Sequence, residues 1–367
     1  MKRTNIVFIT LVLSFLISLI FVNGCGKKGE NVIKIGANLP LTGEVATYGQ
    51  NVKKGMEIAL SESDLNVTIK IIYEDNKGTT KDAVQAANKL MNENVIAVID
   101  DAISGISLAT IPIYEKAKVP LISTGATNPA LSGISPYFFR IWNSDAEEGD
   151  FAATAAFNDL VKKNAVILYL NSDYGLGLKN VFENKFIALG GKVEAAIPFE
   201  ENVKDFRAII NKFRNKTYDL IYIVGYAPQT GVLVKNIREQ RINKTILSTV
   251  ATEDQKFIEL AGAASEGVIY VFNSTPEGSN YEHFVTMYRQ KYNEEPQILT
   301  DVGYDALQLV LMAIKNGART GEQVKEFLKN MDIYEGASGI IKFDEKGDVH
   351  KPMILKVIRD KKFEKFK

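Results

Sequence analysis

Short apolar runs rich in Val, Ile and Leu recur along the chain with helix-spaced segments between them, and this alternation narrows the possible folds more than any other feature. Runs at residues 33–39, 67–73, 95–100, 120–123 and 137–141 read as strands, and a second series follows at 165–170, 192–198, 220–225, 245–247 and 267–272. Helical spacing fills 50–63, 81–92, 106–118, 146–162, 177–189, 204–215 and 228–240. A strand that is apolar throughout must be covered on both faces, and helices between successive strands supply those covers. The pattern therefore predicts parallel α/β sheets. So many strands overfill one open sheet, and the series restarts after residue 145, so two doubly wound lobes are expected. Further helices at 281–292, 302–316 and 322–330, and strands at 339–343 and 353–359, read as a last third that returns to complete both lobes.

The first 25 residues read as an export address. Lys2 and Arg3 precede an apolar run over 6–22, and Val22-Asn23-Gly24 lead into the single cysteine, Cys25. This resembles a bacterial lipoprotein signal, which implies cleavage after residue 24 and a diacylglycerol on Cys25. Residues 1–24 are then a signal peptide and 25–31 a polar tether. The body is expected in the cell envelope, lipid-anchored at the outer face of the cytoplasmic membrane or in the periplasm. Composition removes other classes. Equal numbers of basic and acidic residues, 44 each, argue against nucleic acid as a partner. One cysteine excludes an internal disulfide, a CxxC pair and a thiolate zinc cluster, and two histidines leave little for a metal site. No cofactor and no metal are expected.

Ligands of parallel α/β sheets bind beyond the carboxyl ends of the strands. Two such ends carry Asp101-Ala102-Ile103-Ser104-Gly105 and Thr124-Gly125-Ala126-Thr127-Asn128-Pro129. Hydroxyls and backbone N–H groups beside a helix start suit a carboxylate, although Ser104 and Thr127 would serve equally as helix N-caps. Other loops hold Thr47-Tyr48-Gly49, Asp173-Tyr174-Gly175, Gly225-Tyr226-Ala227 and Thr249-Val250-Ala251-Thr252. The three tyrosines, each beside Gly or Ala, would form an apolar wall with polar tips.

Ile35-Gly36-Ala37-Asn38-Leu39-Pro40-Leu41-Thr42-Gly43, followed by Tyr48-Gly49 and Gly55, resembles the opening of the leucine/isoleucine/valine-binding family, type I substrate-binding proteins of ABC transporters. The likeness runs on through Asp75, Ser104, 120–127, Phe139-Arg140 with Asp145 and Gly149, Asp173-Tyr174-Gly175-Leu176-Gly177, Asp205-Phe206, 219–225, Glu266-Gly267 and Gly303-Tyr304-Asp305-Ala306. The resemblance implies two lobes joined by three crossovers, the type I periplasmic-binding-protein fold. Residues 32–144 with 274–335 would form one lobe, and 145–273 with 336–367 the other. It also implies that Ser104 and Thr127, with backbone groups of Gly125 and Ala126, hold a ligand carboxylate. Tyr48 would line the first lobe, and Tyr174 and Tyr226 would close over the ligand from the second. The implied partners are an ABC permease with its ATPase subunits, and the implied state is a monomer.

One position departs from the pattern. Amino-acid binders of this family place an acid after the strand at 245–247 to pair with the ligand ammonium, and here Val250 stands there. Either Glu253 moves into place, or Asp145 or Asp101 serves, or the ligand carries no ammonium. Glu253 also reads as a first-turn helix residue and Asp145 as an N-cap. Enzyme readings find little support. Gly175-Leu176-Gly177 lacks the third glycine of a dinucleotide fingerprint, since Asn180 stands there, and neither His283 nor His350 lies near a nucleophile elbow. The expectation is an exported solute binder of an ABC importer that captures a branched-chain or other apolar amino acid by hinge closure and catalyses nothing. A binder of a non-amino organic acid, or a ligand-sensing receptor subunit, are the alternatives on the same fold.

Overall fold

The computed structural model describes residues 32–100, 102–274 and 278–366. The signal peptide, Cys25, the tether and Asp101 lie outside the described residues. The chain opens with β1 (Val32–Leu39), α1 (Ala46–Ser61), β2 (Thr68–Asp75), α2 (Thr80–Asn92), β3 (Val98–Asp100), α3 (Ser104–Ala117), β4 (Leu121–Ser123) and β5 (Phe138–Arg140). These strands pair in parallel in the order β2-β1-β3-β4-β5.

A second α/β series follows: α4 (Asp145–Thr154), β6 (Asn164–Leu170), α5 (Asp173–Ala188), β7 (Lys192–Phe199), α6 (Arg207–Asn211), β8 (Leu220–Val224), α7 (Ala227–Glu239), β9 (Thr245–Ser248), α8 (Gln255–Ala261) and β10 (Ile269–Asn273). The remainder supplies α9 (Ser279–Tyr292), α10 (Thr300–Lys315), α11 (Gly321–Asn330), β11 (Tyr334–Gly336), β12 (Gly339–Ile341), β13 (Met353–Arg359) and β14 (Lys362–Lys365). The second sheet runs β14-β13-β10-β9-β8-β6-β7. Every residue of the interior strand β8 is buried, as its unbroken apolar sequence requires.

The last third does return to both sheets. Helix α10 packs on α1 so closely that a Cβ at Gly55 would stand 1.9 Å from the Thr300 carbonyl oxygen, and one at Gly303 would stand 2.4 Å from that of Val52. Strands β13 and β14 extend the second sheet, but in antiparallel pairing, so that sheet is mixed rather than wholly parallel. The strand expected at 339–343 joins neither sheet. It shrinks to β12, paired with β11 in a small hairpin. The helix expected at 204–215 is only α6, because the Asp205 carboxylate accepts the N–H of Arg207 and fixes a late start. The helix expected at 146–162 ends at Thr154 and loosens into a π-helical turn over Ala155–Asp159.

One buried cation ties the first passage between the sheets to the third. Arg140, wholly buried at the end of β5, donates from Nε and Nη2 to Asp348 at 3.0 and 2.7 Å. Its remaining donors reach the carbonyls of Ala126 (3.2 Å) and Asn128 (3.1 Å) and the Ser132 hydroxyl (2.7 Å). Removing one partner of a buried pair leaves the other charge unpaired, which costs about 3–5 kcal/mol. Arg140→Met should lower the unfolding free energy by that amount, seen as a lower urea midpoint, and Arg140→Lys should not restore it, because an ammonium lacks the planar fork. An unchanged midpoint for Arg140→Met would remove this pair from the account of stability.

Candidate functional site

The carboxyl ends of the two sheets face each other across a narrow cavity. Ala102, after β3, and Gly125 and Thr127, after β4, form one end of it. The amino end of the 14-residue helix α3 starts two residues beyond Ala102 and favours negative charge there. Val250 and Ala251, after β9, line it from the second sheet, and Ile298 and Leu299 complete the lining. Leu299 adopts φ +71° at the start of α10, a conformation uncommon for a non-glycine residue, and so turns into the cavity wall.

The wall is aromatic. Tyr174 and Tyr226 stack with centroids 5.2 Å apart, and Tyr48 meets the edge of Tyr226 at 6.0 Å. The Tyr48 hydroxyl accepts the N–H of Ala227 at 3.3 Å, a bond from the first sheet's side to the second's. Tyr174 donates to the Thr249 hydroxyl at 3.0 Å. Tyr48 and Tyr174 begin helices rather than sitting in loops: they lie in the first turns of α1 and α5, while Tyr226 is the N-cap of α7. Two further contacts hold the cleft shut at its rim. Lys204 pairs with Glu44 at 2.6 Å, and the Asn128 amide donates to the Asp173 carbonyl.

The structure thus brings Tyr48, Gly125, Thr127, Tyr174, Tyr226 and Val250 to one cavity. Ser104 is buried beside it, and its hydroxyl accepts the N–H of Asn128 at 3.1 Å, tying the α3 start to the next loop. Neither Ser104 nor Thr127 is an N-cap. Ile103 precedes α3 in that position, and Asn128 caps the turn at Pro129–Leu131. Ala126 is not part of the lining, and its N–H is taken by the Ser123 hydroxyl at 3.1 Å. Glu253 is committed elsewhere: it binds Lys356 and the Tyr270 hydroxyl and faces a separate cavity of about 630 Å³ behind Trp142.

Two acids stand behind the wall. Asp145 is the first residue of α4, not its cap, since Ser144 fills that role. Its N–H donates to the Thr127 carbonyl at 2.8 Å, and its carboxylate oxygens are fully buried with no well-formed hydrogen bond, the Thr127 hydroxyl being the donor nearby. Burial raises its pKa to about 7, opposed by the nearby Thr127 hydroxyl and the Arg140 charge. Glu148, three residues on and also buried, accepts the N–H of Val250 at 3.1 Å. Burial and the Asp145 charge push it well above the carboxylate range. Sequence reading missed Glu148 and also Trp142, the only tryptophan, which lines the cavity with its indole N–H unpartnered.

Comparison with known proteins gives one consistent answer. The sequence profile of the family described as periplasmic binding protein matches residues 32–362. A Leu/Ile/Val-binding protein homolog 2 of Brucella abortus (strain 2308) is 27% identical over 324 residues, covering 86% of this chain and 87% of the relative. The crystal structure of a leucine binding protein, LivK, from Thermotoga maritima MSB8 is 30% identical with a TM-score of 0.88, covering 91% of this chain and 98% of that one. The branched-chain amino acid transporter substrate binding protein LivJ from Streptococcus pneumoniae, in complex with isoleucine, is also 30% identical. Its TM-score is 0.85 at the same coverage.

The buried Asp145 predicts a pH response of the empty protein. A carboxyl that stays protonated to about pH 7 when folded, but ionises near pH 4 when unfolded, favours the folded state at low pH. That contribution is lost as pH rises between those values. Asp145→Asn should match the wild type near pH 4 and exceed it near pH 8 by on the order of a few kcal/mol. Urea unfolding of ligand-free protein at both pH values measures this, and parallel pH curves for the two proteins would refute it.

Proposed function

The chain belongs to the periplasmic binding protein family, in its leucine/isoleucine/valine-binding branch, and we propose that its cavity captures a small carboxylate-bearing solute, a branched-chain or other apolar amino acid. It has the type I fold, is an extracytoplasmic solute-binding protein of the ABC-transporter type, and is not an enzyme. The observation that carries the ligand reading is the cavity itself. It is small, aromatic-walled, and polar at the Gly125–Thr127 end beside a helix amino terminus.

In this reading, Thr127, Ser104 and the backbone about Gly125 take the carboxylate, Ala126 being spent on Ser123 and Arg140, while Tyr48, Tyr174 and Tyr226 cover the apolar side chain. The ligand touches both sides of the cleft only when it is shut, so binding shifts the hinge equilibrium toward closure. The moving bodies are residues 32–144 with 274–335, and 145–273 with 336–367. Capture at the membrane surface through a lipid on Cys25 would present the closed form to a permease and its ATPase subunits.

A thermal-shift screen on purified protein, unfolded and refolded to remove carried-over ligand, tests the ligand class. Leu, Ile, Val and Phe should stabilise it, and the double variant Ser104→Ala with Thr127→Ala should lose that stabilisation while folding normally. Binding by the double variant at wild-type strength would move the carboxylate site elsewhere. Stabilisation by the matching acids without an amino group, and by no amino acid, would replace this reading with an organic-acid binder, the outcome that Val250 favours. For the anchor, Cys25→Ser should abolish incorporation of labelled fatty acid and shift the protein from the membrane fraction to the soluble one. Label retained by the variant would exclude this anchor.

A further inference from the structure

We propose that Glu148, seconded by Asp145, is the carboxylate that recognises a ligand ammonium group, delivered to the cavity from the first turn of α4 instead of from the loop after β9. The inference rests on the reading of the Gly125–Thr127 end as the carboxylate pole, and three observations carry it.

The first is position. In an α-amino acid the ammonium sits one carbon from the carboxylate, so its partner must lie beside Thr127. Helix α4 starts there: the Asp145 N–H bonds the Thr127 carbonyl at 2.8 Å. One turn later, Glu148 lies directly behind the lining, its Oε1 held on the N–H of Val250, which borders the same cavity as Thr127. The second is the lack of a counterion. Among the described residues neither acid forms an ion pair, and the buried carboxylate of Asp145 has only the Thr127 hydroxyl nearby and no well-formed hydrogen bond. Two buried acids without a cation are costly to ionise, and a bound cation offsets that cost. The third is the surroundings. Arg140 from β5 is spent on Asp348, Tyr174 from α5 and Tyr222 from β8 face the pair without charge, and Lys185 of α5 binds Asp150 on the outer side of α4. Glu147 points out to His350, and Glu253 is held by Lys356. Arg140 acts on Asp145 only at a distance, and no cation among the described residues pairs with either acid, which leaves that place to the ligand.

An ammonium bound here would ionise acids that the empty protein holds protonated, so capture releases protons near neutral pH. The test compares L-leucine with 4-methylpentanoate, the same molecule without its amino group, by titration calorimetry. In Glu148→Gln the amide oxygen can still accept the Val250 N–H, so the fold is preserved while the charge is lost. L-leucine affinity should fall by at least about 30-fold, and that of 4-methylpentanoate should change less than about threefold. Asp145→Asn should show the same selectivity with a smaller loss. Wild type titrated in two buffers of different ionisation enthalpy should release protons on binding L-leucine and none on binding 4-methylpentanoate, a readout that needs no variant to fold. Equal losses for both ligands, an unchanged preference in Glu148→Gln, or no proton release with L-leucine would each overturn the inference and leave the carboxylate reading standing. A wild type that binds no member of the carboxylate panel would overturn both.

Discussion

The Arg140 guanidinium is the contact on which most of the site's geometry depends. It saturates its donors on two carbonyls of the 124–128 loop, one hydroxyl and the buried Asp348. The carbonyls of Ala126 and Asn128 are held by Arg140 and that of Thr127 by the Asp145 N–H, which fixes the backbone on both sides of a residue that lines the cavity. The same cation binds a residue of the passage that returns to the second sheet, so the shape of the carboxylate pole and the position of that passage are set together. A desolvated charge of this kind is tolerable only when fully paired, which makes it intolerant of partial change. Precision at the pole and vulnerability of the fold are two consequences of one interaction.

The acids of α4 follow the opposite logic. Arg140 is complete in the empty protein, whereas Asp145 and Glu148 are buried and lack a cation. Their place at the amino end of a helix lowers the cost of negative charge, but desolvation outweighs that dipole and holds the protons on. Polar groups left incomplete by the fold are a reservoir that binding can draw on. Here they sit in the helix that starts at the passage from the first sheet to the second, so whatever satisfies them acts where the two halves meet.

The architecture was legible because its signals are local. Continuous apolar strands, helices between them and hydroxyl-bearing loops at strand ends are read from neighbours in sequence, and Tyr48, Thr127, Tyr174, Tyr226 and Val250 do share one cavity. What was not legible depended on distant partners. Glu253 looked available until Lys356, over a hundred residues later, placed its ammonium on it. Glu147 and Glu148 are indistinguishable as letters, yet one is half-exposed against His350 and the other is buried against Val250. That difference comes from the packing of α4 on α5 and the β9 loop, which helical spacing does not encode. Trp142 directly follows the run at 137–141 with nothing local to single it out, although it lines both cavities.

Closure and recognition are coupled through the same few atoms. Without a ligand the shut cleft is held by the tyrosine wall, one hydroxyl-to-amide bond and exposed polar contacts at the rim, the last of which are worth little in water. Such contacts can balance an open state but cannot lock a shut one. A ligand that bonds only Thr127 would add affinity to one half of the molecule and shift the hinge hardly at all, because it would bind open and shut forms alike. A ligand that also reaches the acids behind Val250 and the tyrosines of the second half interacts fully only with the shut form, and its differential affinity is what drives closure. On the proposed reading the two poles would select the ligand and time the movement with one set of contacts, and a solute lacking either pole would be held without the cleft being committed to close.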